Sequence, residues 1–413
     1  MTLGLVPPPH RVTTAQLQAA YPFVAEGGLG TRGAYIGRDL FGGAFAFDPW
    51  ELYAAGRLTS PNVLVIGQIG RGKSALIKTW VWRELVFGRH VWIVDPKGEY
   101  DALARACGIT PIQLVPGGSV RLNPLDAGPQ PGDLLRRQTE LLVSLAAASL
   151  GRPLTPRERA ATELALAAAS SRVRCPTLPE VVDALLVPTP QAAREIHTDV
   201  VSLAADGREV ALELRRLVEG DLRGMFDGPT TPGIDLDAPV VVLDLRALYG
   251  SAALGILMTC ATAWLQSAFR TSDQVRRLVV VDEAWAVLSD LAIARWLRSS
   301  FKLSRAFGVA NVTVLHRVSD LAAAGAEGSE QVRLAQGLLA DAETRVVYGQ
   351  PPGEVERAKE LLGLTTTEAE LLPRLPRGVA LWKVGMRSFL VQHQLGRLEA
   401  PLVDTDARMV SPG

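Results

Sequence analysis

The chain has 413 residues, with 43 basic and 43 acidic side chains and a formal net charge of zero. This length exceeds the usual size of one domain and 48% of the residues are hydrophobic, which predicts two or three structural units and excludes a disordered chain. The balanced charge excludes a global field that would attract nucleic acid or anionic lipid, so such a partner must be held by local patches.

The spacing of cysteines and histidines and the length of the apolar segments indicate the cellular compartment of the protein. The three cysteines lie far apart and the five histidines never fall at metal-ligand spacing, which is typical of a reducing compartment without a structural zinc site. Residues 1–20 lack the apolar core of a signal peptide, and the most apolar stretch, residues 254–269, is short for a membrane span and interrupted by polar residues. We therefore predict a buried helix at 254–269 and a cytoplasmic chain with no intrinsic membrane span.

The N-terminal part is rich in glycine and aromatic residues. Residues 34–37 and 44–47 form short extended pieces within it, so residues 1–55 are predicted to be a small β-rich segment that lies against the core. The core itself begins with a β-branched strand at residues 62–66.

A glycine loop follows this strand with the spacing G-x-x-x-x-G-K-S. Gly67, Gly70 and Gly72 let backbone N–H groups converge on phosphate oxygens. Lys73 would reach the β- and γ-phosphates, and Ser74 would offer its hydroxyl to Mg²⁺. The alternative, a turn with a chance Lys-Ser pair, fits the flanking strand and helix less well. The residues predicted to bind the nucleotide are Gly67, Gln68, Ile69, Gly70, Arg71, Gly72, Lys73, Ser74 and Ala75.

A second buried strand, residues 90–94, ends in the sequence Asp-Pro-Lys-Gly-Glu. Proline and glycine stop the strand there and are expected to leave Asp95, Lys97 and Glu99 exposed near the γ-phosphate region. A plain turn is the alternative interpretation.

The following segment changes character, since residues 132–224 are rich in Ala, Leu and Arg. Thr155 with Glu158, and Thr177 with Glu180, have the spacing of capping boxes that begin helices. We predict an all-helical insertion here.

The alternation of strands and helices then resumes, with apolar strands at 240–243, 278–281 and 311–315. This pattern predicts an α/β fold with a mainly parallel sheet covered on both faces. A capped helix from Thr365 and a hairpin of residues 380–384 and 388–392 are expected near the end. The predicted organisation is a segment 1–55, a core 56–131, an insertion 132–224, a second core part 225–395 and a tail 396–413.

Two carboxylates, Asp282 and Glu283, follow the strand at 278–281. The carboxyl ends of parallel strands are where open α/β sheets bind ligands. Asp282 is predicted to hold Mg²⁺ and Glu283 to act as the general base on the attacking water. An acidic helix start is the alternative. Because the strands at Val91 and Val240 fall between this motif and the glycine loop in sequence, the two motifs need not be adjacent, which suits NTPases with an added strand between them.

Basic side chains supply further candidates. His316 follows the strand at 311–315 and could sense the γ-phosphate or orient water, although a histidine satisfied at a strand end is as plausible. Arg298, Lys302 and Arg305 fall on one face of an expected helix, so Arg305 could supply a transition-state arginine to a neighbouring subunit. A solvated surface is the alternative. Arg345 is a second candidate for this role.

The ordered motifs resemble the conjugation and type IV secretion ATPases of the HerA–FtsK P-loop superfamily, of TraG or TraC type, and especially the ATPase of actinobacterial conjugative elements. The resemblance covers about residues 55–395 of the sequence. It rests on residues 62–74, 94–100, 122–126, 281–285 and 308–316.

This resemblance implies a RecA-like motor domain with a helical insertion, ATP and Mg²⁺ as cofactors, and a homo-hexameric ring with shared active sites. It also implies partners in a membrane-attached secretion or conjugation apparatus, with DNA as a further partner, and leaves open a peripheral position at the inner face of the membrane. Many relatives carry glutamine where this chain has His316, which places the sensor role in doubt. Only some 55 residues precede the core, so docking on the apparatus is expected to be absent or supplied by another chain.

Three functions follow, of which the first is an ATP-hydrolysing motor that powers conjugative DNA transfer or type IV secretion. The second is a coupling protein that pumps DNA directly. The third, from another class, is a nucleotide-binding assembly factor with little turnover. Lys73 together with Glu283 argues against the third, because a module that only binds nucleotide has no need of a base.

Overall fold

The computed structural model of the protein describes most of the chain. The described residues are 28–126, 134–173, 175–220, 222–248, 254, 275–284, 298, 301, 307–317, 319 and 329–403. The predicted helix at 254–269 lies outside this part, apart from Leu254. No helix in the described ranges is long and apolar enough to cross a membrane.

Within the described residues, eleven strands form one sheet. They are β1 (Ala34–Asp39), β2 (Ala44–Phe47), β3 (Val63–Ile66), β4 (His90–Asp95), β5 (Ile112–Gln113), β6 (Val240–Asp244), β7 (Arg277–Val281), β8 (Val309–Leu315), β9 (Thr344–Tyr348), β10 (Val379–Val384) and β11 (Arg387–His393). The order across the sheet is β2-β1-β11-β10-β9-β3-β8-β7-β4-β6-β5. From β9 to β5 all neighbours are parallel, while β10, β11, β1 and β2 are antiparallel.

Twelve α-helices are described, numbered here in chain order. They are α1 (Pro49–Ala54), α2 (Lys73–Leu85), α3 (Asp101–Ala106), α4 (Leu134–Leu150), α5 (Pro156–Arg172), α6 (Leu178–Leu186), α7 (Pro190–Glu195), α8 (Val200–Glu219), α9 (Glu330–Asp341), α10 (Val355–Leu362), α11 (Thr366–Leu371) and α12 (Ala400–Val403).

The parallel strands are apolar on both faces because both faces are covered. Along β3, Leu64 and Ile66 belong to the same core cluster as the helices α4 to α8. The alternate residues Val63 and Val65 belong to a second cluster that includes α2. Since side chains of a strand alternate between faces, these two cores lie on opposite sides of the sheet. The α/β fold with a mainly parallel sheet, predicted from sequence, is confirmed.

Residues 134–220 contain only helices among their described residues. Both predicted capping boxes are present. Thr155 N donates to Glu158 Oε2 at 2.7 Å and Glu158 N donates to Thr155 Oγ1 at 3.3 Å, while Thr177 N donates to Glu180 Oε2 at 2.6 Å. The helices pack closely where α8 carries glycine, because a Cβ at Gly207 would lie 3.0 Å from a methyl of Leu185.

The extended pieces predicted at 34–37 and 44–47 form the strands β1 and β2. β1 pairs with β11, so both strands extend the main sheet. The predicted C-terminal hairpin is present as β10 and β11, with Gly385 at φ +57° in its turn.

Arg83 in α2 joins these distant parts of the chain. Its Nε and Nη2 donate to Glu399 at 2.6 and 2.5 Å, and its Nη2 also donates to Gln394 O at 2.7 Å. Its Nη1 donates to the carbonyl of Tyr35. One guanidinium therefore ties α2 to β1 and to the segment after β11.

Candidate functional site

The glycines of the loop between β3 and α2 meet different structural needs. Gly70 and Gly72 have φ of +78° and +109°, in the region that favours glycine. Gly67 instead lies so close to β9 that a Cβ would come within 2.3 Å of Tyr348 Cβ. Helix α2 begins at Lys73 directly after Gly72, so its N-terminus points unpaired N–H groups at the loop. This arrangement is a cradle for phosphate oxygens.

Lys73 is buried at the base of this loop. Its Nζ donates to the carbonyl of Gly67 and, at 2.9 Å, to that of Gln68. Burial lowers its pKa to about 8, and the negative charges of Glu283 and Asp282 oppose that shift. The ammonium therefore lies within electrostatic range of both carboxylates, so the loop and the acidic motif face one site.

The strand order explains how the two motifs meet. β8 lies between β3, which carries the loop, and β7, which carries the acidic pair. An added strand thus separates the motifs, as the sequence indicated. The intervening strand is the later one at Val309–Leu315, whereas the strands at Val91 and Val240 lie on the far side of β7.

Asp282 directly follows β7 and is buried at the carboxyl edge, the edge at which the parallel strands end. Its Oδ1 accepts from Glu283 N at 2.9 Å, and its Oδ2 accepts from the hydroxyl of Tyr100 at 2.9 Å. Burial raises its pKa, and the charge of Glu283 adds to that effect. A nearby cation would favour the ionised carboxylate.

Glu283 has an unusual backbone conformation, with φ of +50°. A non-glycine residue in this region carries strain that surrounding contacts must offset. Its carboxylate lies between two basic groups, with Lys97 Nζ 2.7 Å from Oε1 and His316 Nε2 2.6 Å from Oε2. The fold therefore holds this side chain in one place at the carboxyl edge.

Asp95 corrects a sequence expectation, because it is buried and not exposed. Only 2% of its surface is accessible. Its Oδ1 accepts from Lys97 N at 3.2 Å and Gly98 N at 2.8 Å, and its Oδ2 accepts from Tyr100 N at 3.0 Å. Burial raises its pKa to about 6. Asp95 shapes the turn after β4, and Lys97 is the residue that reaches the site.

An open cavity of about 500 Å³ adjoins the loop. Gln68, Ile69, Gly70, Arg71, His316, Arg317 and Arg377 line it. Three arginines and a histidine at its wall make it suited to an anionic ligand. Arg377 enters this wall from the segment before β10, a contribution that the sequence analysis missed.

Other basic candidates are placed differently. Lys302 and Arg305 lie outside the described residues, and Arg298 is exposed. Arg345 lies near the start of β9, at the edge opposite the loop, where it donates to Leu362 O at 2.8 Å and Leu339 O at 3.3 Å. Its guanidinium binds the ends of two helices in this structure, and a role across a subunit boundary stays an untested prediction.

Tyr100 and Lys78 are site residues that sequence reasoning missed. Tyr100 follows the turn of Asp95, and its hydroxyl reaches Asp282 across 182 residues of sequence. Lys78 is a buried lysine in α2, with Nζ 5.5 Å from the centre of the Tyr100 ring. The sequence did carry one signal for Lys78, because this lysine lies between two apolar residues, Ile77 and Trp80, that are both buried.

The oxygen ligands suit a hard divalent cation. Ser74 lies in the first turn of α2 and Asp282 at the end of β7. No group of three metal-ligating side chains occurs in the part of the chain that the structure describes. A hydroxyl and one carboxylate are what Mg²⁺ uses when phosphate oxygens and water complete its shell, so the residues fit a magnesium–nucleotide complex.

Solved structures of other proteins have the same fold as this chain. No protein-family model and no curated protein matches the sequence. VirB4 of Thermoanaerobacter pseudethanolicus has a similar structure, with a TM-score of 0.71 and 23% identity over 91% of this chain and 100% of that one. The bacterial conjugative coupling protein TrwB, unbound and lacking its N-terminal segment, has a TM-score of 0.57 and 16% identity, over 94% of this chain and 92% of that chain.

TrwB in complex with ADP and Mg²⁺ gives a TM-score of 0.56 and 15% identity, over 94% of this chain and 93% of that chain. At these identities the likeness establishes the fold. The chain has the RecA-like P-loop fold of VirB4 and TrwB, in agreement with the resemblance that its motifs indicated.

Proposed function

We propose that this chain is a Mg²⁺-dependent ATPase, a motor that powers conjugative DNA transfer or type IV secretion. One observation carries the proposal. Glu283 is held by Lys97 and His316 next to Asp282, at the edge where the phosphate loop opens. Binding nucleotide requires the loop but no buried carboxylate aimed into the site, so the arrangement favours hydrolysis.

The chain's own residues divide the work of the reaction. Backbone N–H groups of the loop and the N-terminus of α2 bind phosphate oxygens, and Lys73 offsets their charge. Ser74 and Asp282 would hold Mg²⁺, which supplies further stabilisation of charge on the phosphates when bound. Glu283 accepts the proton of the attacking water, and His316 holds the carboxylate in its orientation.

The comparisons support the same conclusion at the level of fold. VirB4 is matched along its whole chain, and TrwB has been seen with ADP and Mg²⁺. From the resemblance of its motifs to conjugation and type IV secretion ATPases, we propose a homo-hexameric ring at the cytoplasmic face of a membrane-attached apparatus. Arg305 is our candidate for the arginine that acts on a neighbouring subunit's nucleotide.

The Glu283→Gln variant tests the proposal, because it keeps the shape of the side chain and removes the base. We expect ATP affinity close to that of the wild type and turnover lower by about 100-fold or more. Lys73→Ala serves as the contrasting variant, since it should lose binding itself. A Glu283→Gln protein that binds ATP and hydrolyses it as fast as the wild type would refute the general-base assignment.

A second candidate, a coupling protein that pumps DNA directly, is favoured by the likeness to TrwB over 94% of this chain. It predicts turnover stimulated by DNA, with strong salt dependence. Measuring ATPase rate and oligomer mass together, with and without single- and double-stranded DNA, separates the two motors. Background turnover in the assembled ring would instead favour an assembly factor.

A further inference from the structure

Tyr100 connects two buried carboxylates at the carboxyl edge. It has 0% surface exposure. Its backbone N–H donates to Asp95 Oδ2 at 3.0 Å, and its hydroxyl donates to Asp282 Oδ2 at 2.9 Å. The tyrosine is thus fixed at its backbone by one carboxylate and fixes the other through its side chain.

The Tyr100 side chain is shielded from solvent, and a buried lysine beside it offsets the negative charge of the carboxylates. Lys78 is 1% exposed, and its Nζ lies 5.5 Å from the centre of the Tyr100 ring. Burial lowers the pKa of Lys78, while the charges of Glu99, Asp282 and Asp95 oppose that shift. A buried ammonium over the ring places positive charge beside the two carboxylates without binding either of them directly.

These contacts determine the orientation of Asp282. Its Oδ1 accepts from Glu283 N and its Oδ2 from the Tyr100 hydroxyl. A carboxylate has about four lone-pair sites, so each oxygen keeps one for a further partner. With one donor on each oxygen, Asp282 keeps lone pairs for a cation at the carboxyl edge, the edge at which the phosphate loop also lies.

We propose that Tyr100 is a positioning residue for the metal-binding carboxylate, orienting Asp282 so that Mg²⁺ is captured together with the nucleotide. The proposal rests on the proposed function, in which Asp282 is the protein's carboxylate ligand to Mg²⁺. Partners that hydrogen-bond to metal ligands typically change metal affinity by about 10- to 100-fold when they are removed. The effect of Tyr100 should therefore be confined to nucleotide binding that depends on Mg²⁺.

The test measures binding without turnover. A fluorescent non-hydrolysable ATP analogue is titrated with Mg²⁺ or EDTA present, for the wild type, Tyr100→Phe, Asp282→Asn and the double variant. Tyr35→Phe is the matched control, because the Tyr35 hydroxyl also donates a hydrogen bond, to Gln394 Oε1 at 2.6 Å, and β1 lies four places along the sheet from β3.

We expect Tyr100→Phe to need about 10- to 100-fold more Mg²⁺ for half-maximal binding, with unchanged affinity in EDTA. Tyr35→Phe should match the wild type. Adding Tyr100→Phe to Asp282→Asn should change nothing further, because the tyrosine acts through that carboxylate. This lack of additivity is a result that a merely structural tyrosine would not give.

Two outcomes would overturn the proposal and can be told apart. A Tyr100→Phe protein with the wild-type Mg²⁺ requirement removes the role of Tyr100 but leaves the ATPase proposal in place. A wild type that binds the analogue equally well in EDTA removes the metal assignment, and with it both proposals.

A second measurement does not require the Tyr100→Phe variant to fold, because it keeps the tyrosine and labels it. With 3-fluorotyrosine at position 100, the ¹⁹F resonance should shift when Mg²⁺ is added to the nucleotide-bound protein, and a label at position 35 should not respond. An unchanged resonance at position 100 contradicts the proposal.

Discussion

The parallel and antiparallel parts of the sheet use their side chains differently. In the parallel part, polar residues lie at the carboxyl ends of the strands, with Asp95 the last residue of β4 and Asp282 and His316 directly after β7 and β8. In the antiparallel part, aromatic side chains pack face to edge. The ring centre of Trp382 lies 5.1 Å from that of Phe45 and 5.2 Å from that of Phe47. Parallel strands all finish at the same edge, so that edge can collect chemistry from distant parts of the sequence.

Antiparallel strands run both ways and create no such edge. Their contribution here is to bind the two ends of the described chain together, through β1 on β11 and the ion pair of Arg83 with Glu399. The comparison predicts that variants in the antiparallel part change stability with little effect on turnover, whereas variants at the carboxyl edge do the reverse.

Trp382→Ala should have the largest effect. The side chain is fully buried in the aromatic cluster, and such truncations cost about 3–5 kcal/mol. Urea denaturation should show this loss, while ATP turnover per folded molecule stays at the wild-type level. Turnover that falls by tenfold or more in the folded fraction would mean that the two parts of the sheet are energetically coupled, and would break the comparison.

His393, the last residue of β11, should make stability depend on pH. Burial, with a smaller effect of Arg83, lowers its pKa to about 4 from 6.5, and its Nε2 lies 2.8 Å from Thr79 Oγ1. Below pH 6.5 the unfolded chain binds a proton that the folded protein refuses. Stability is therefore lost as the pH falls from 6.5 towards 4, by up to about 3 kcal/mol.

His393→Gln removes this contribution, so the variant should gain stability relative to the wild type as the pH falls from 6.5 to 4.5. Asp95, whose pKa is raised to about 6, titrates in the same range but contributes equally to both proteins. The neighbouring Glu399 titrates below this range, because its ion pair with Arg83 outweighs burial and lowers its pKa. Urea denaturation at several pH values for both proteins gives the comparison. Equal slopes in the two proteins would show that His393 is not the group responsible.

Local patterns in the sequence predicted the features that depend on a few neighbouring residues. The phosphate loop is defined by the spacing of Gly67, Gly72, Lys73 and Ser74, and its geometry follows from backbone angles within that segment. The capping box of Thr155 likewise needs only the residue three positions later. Such signals act within one turn of chain, so they can be interpreted without knowledge of the fold.

Contacts between strands were not predicted, because they depend on strand order. Lys97 meets Glu283 across 186 residues only because β4 lies next to β7. Hydrophobic patterns identify strands but carry no information on which strands become neighbours. The buried position of Asp95 was missed for a different reason, because the three backbone N–H groups that compensate its burial leave no mark in the side-chain pattern.

Lys97→Met should affect chemistry more than stability. Burial alone would lower the pKa of Lys97, but the hydrogen bond and charge of Glu283 outweigh it and raise the pKa. Without the ammonium, Glu283 loses one of the two basic groups that hold its strained position. We expect kcat to fall by about 10- to 100-fold, equal to about 1.4–2.7 kcal/mol, with ATP affinity nearly unchanged.

Lys383→Met is the matched change in the antiparallel part, and we expect its effect to be the smallest. Lys383 Nζ lies 3.0 Å from Glu368 Oε2, and both side chains are mostly buried. Glu368 keeps its hydrogen bonds from Ser388 and from the backbone N–H of Thr365, so the loss of stability should be only about 1 kcal/mol. Turnover per folded molecule should not change. If Lys383→Met slows turnover as much as Lys97→Met does, the carboxyl edge is not the place where this chain's ion pairs serve catalysis.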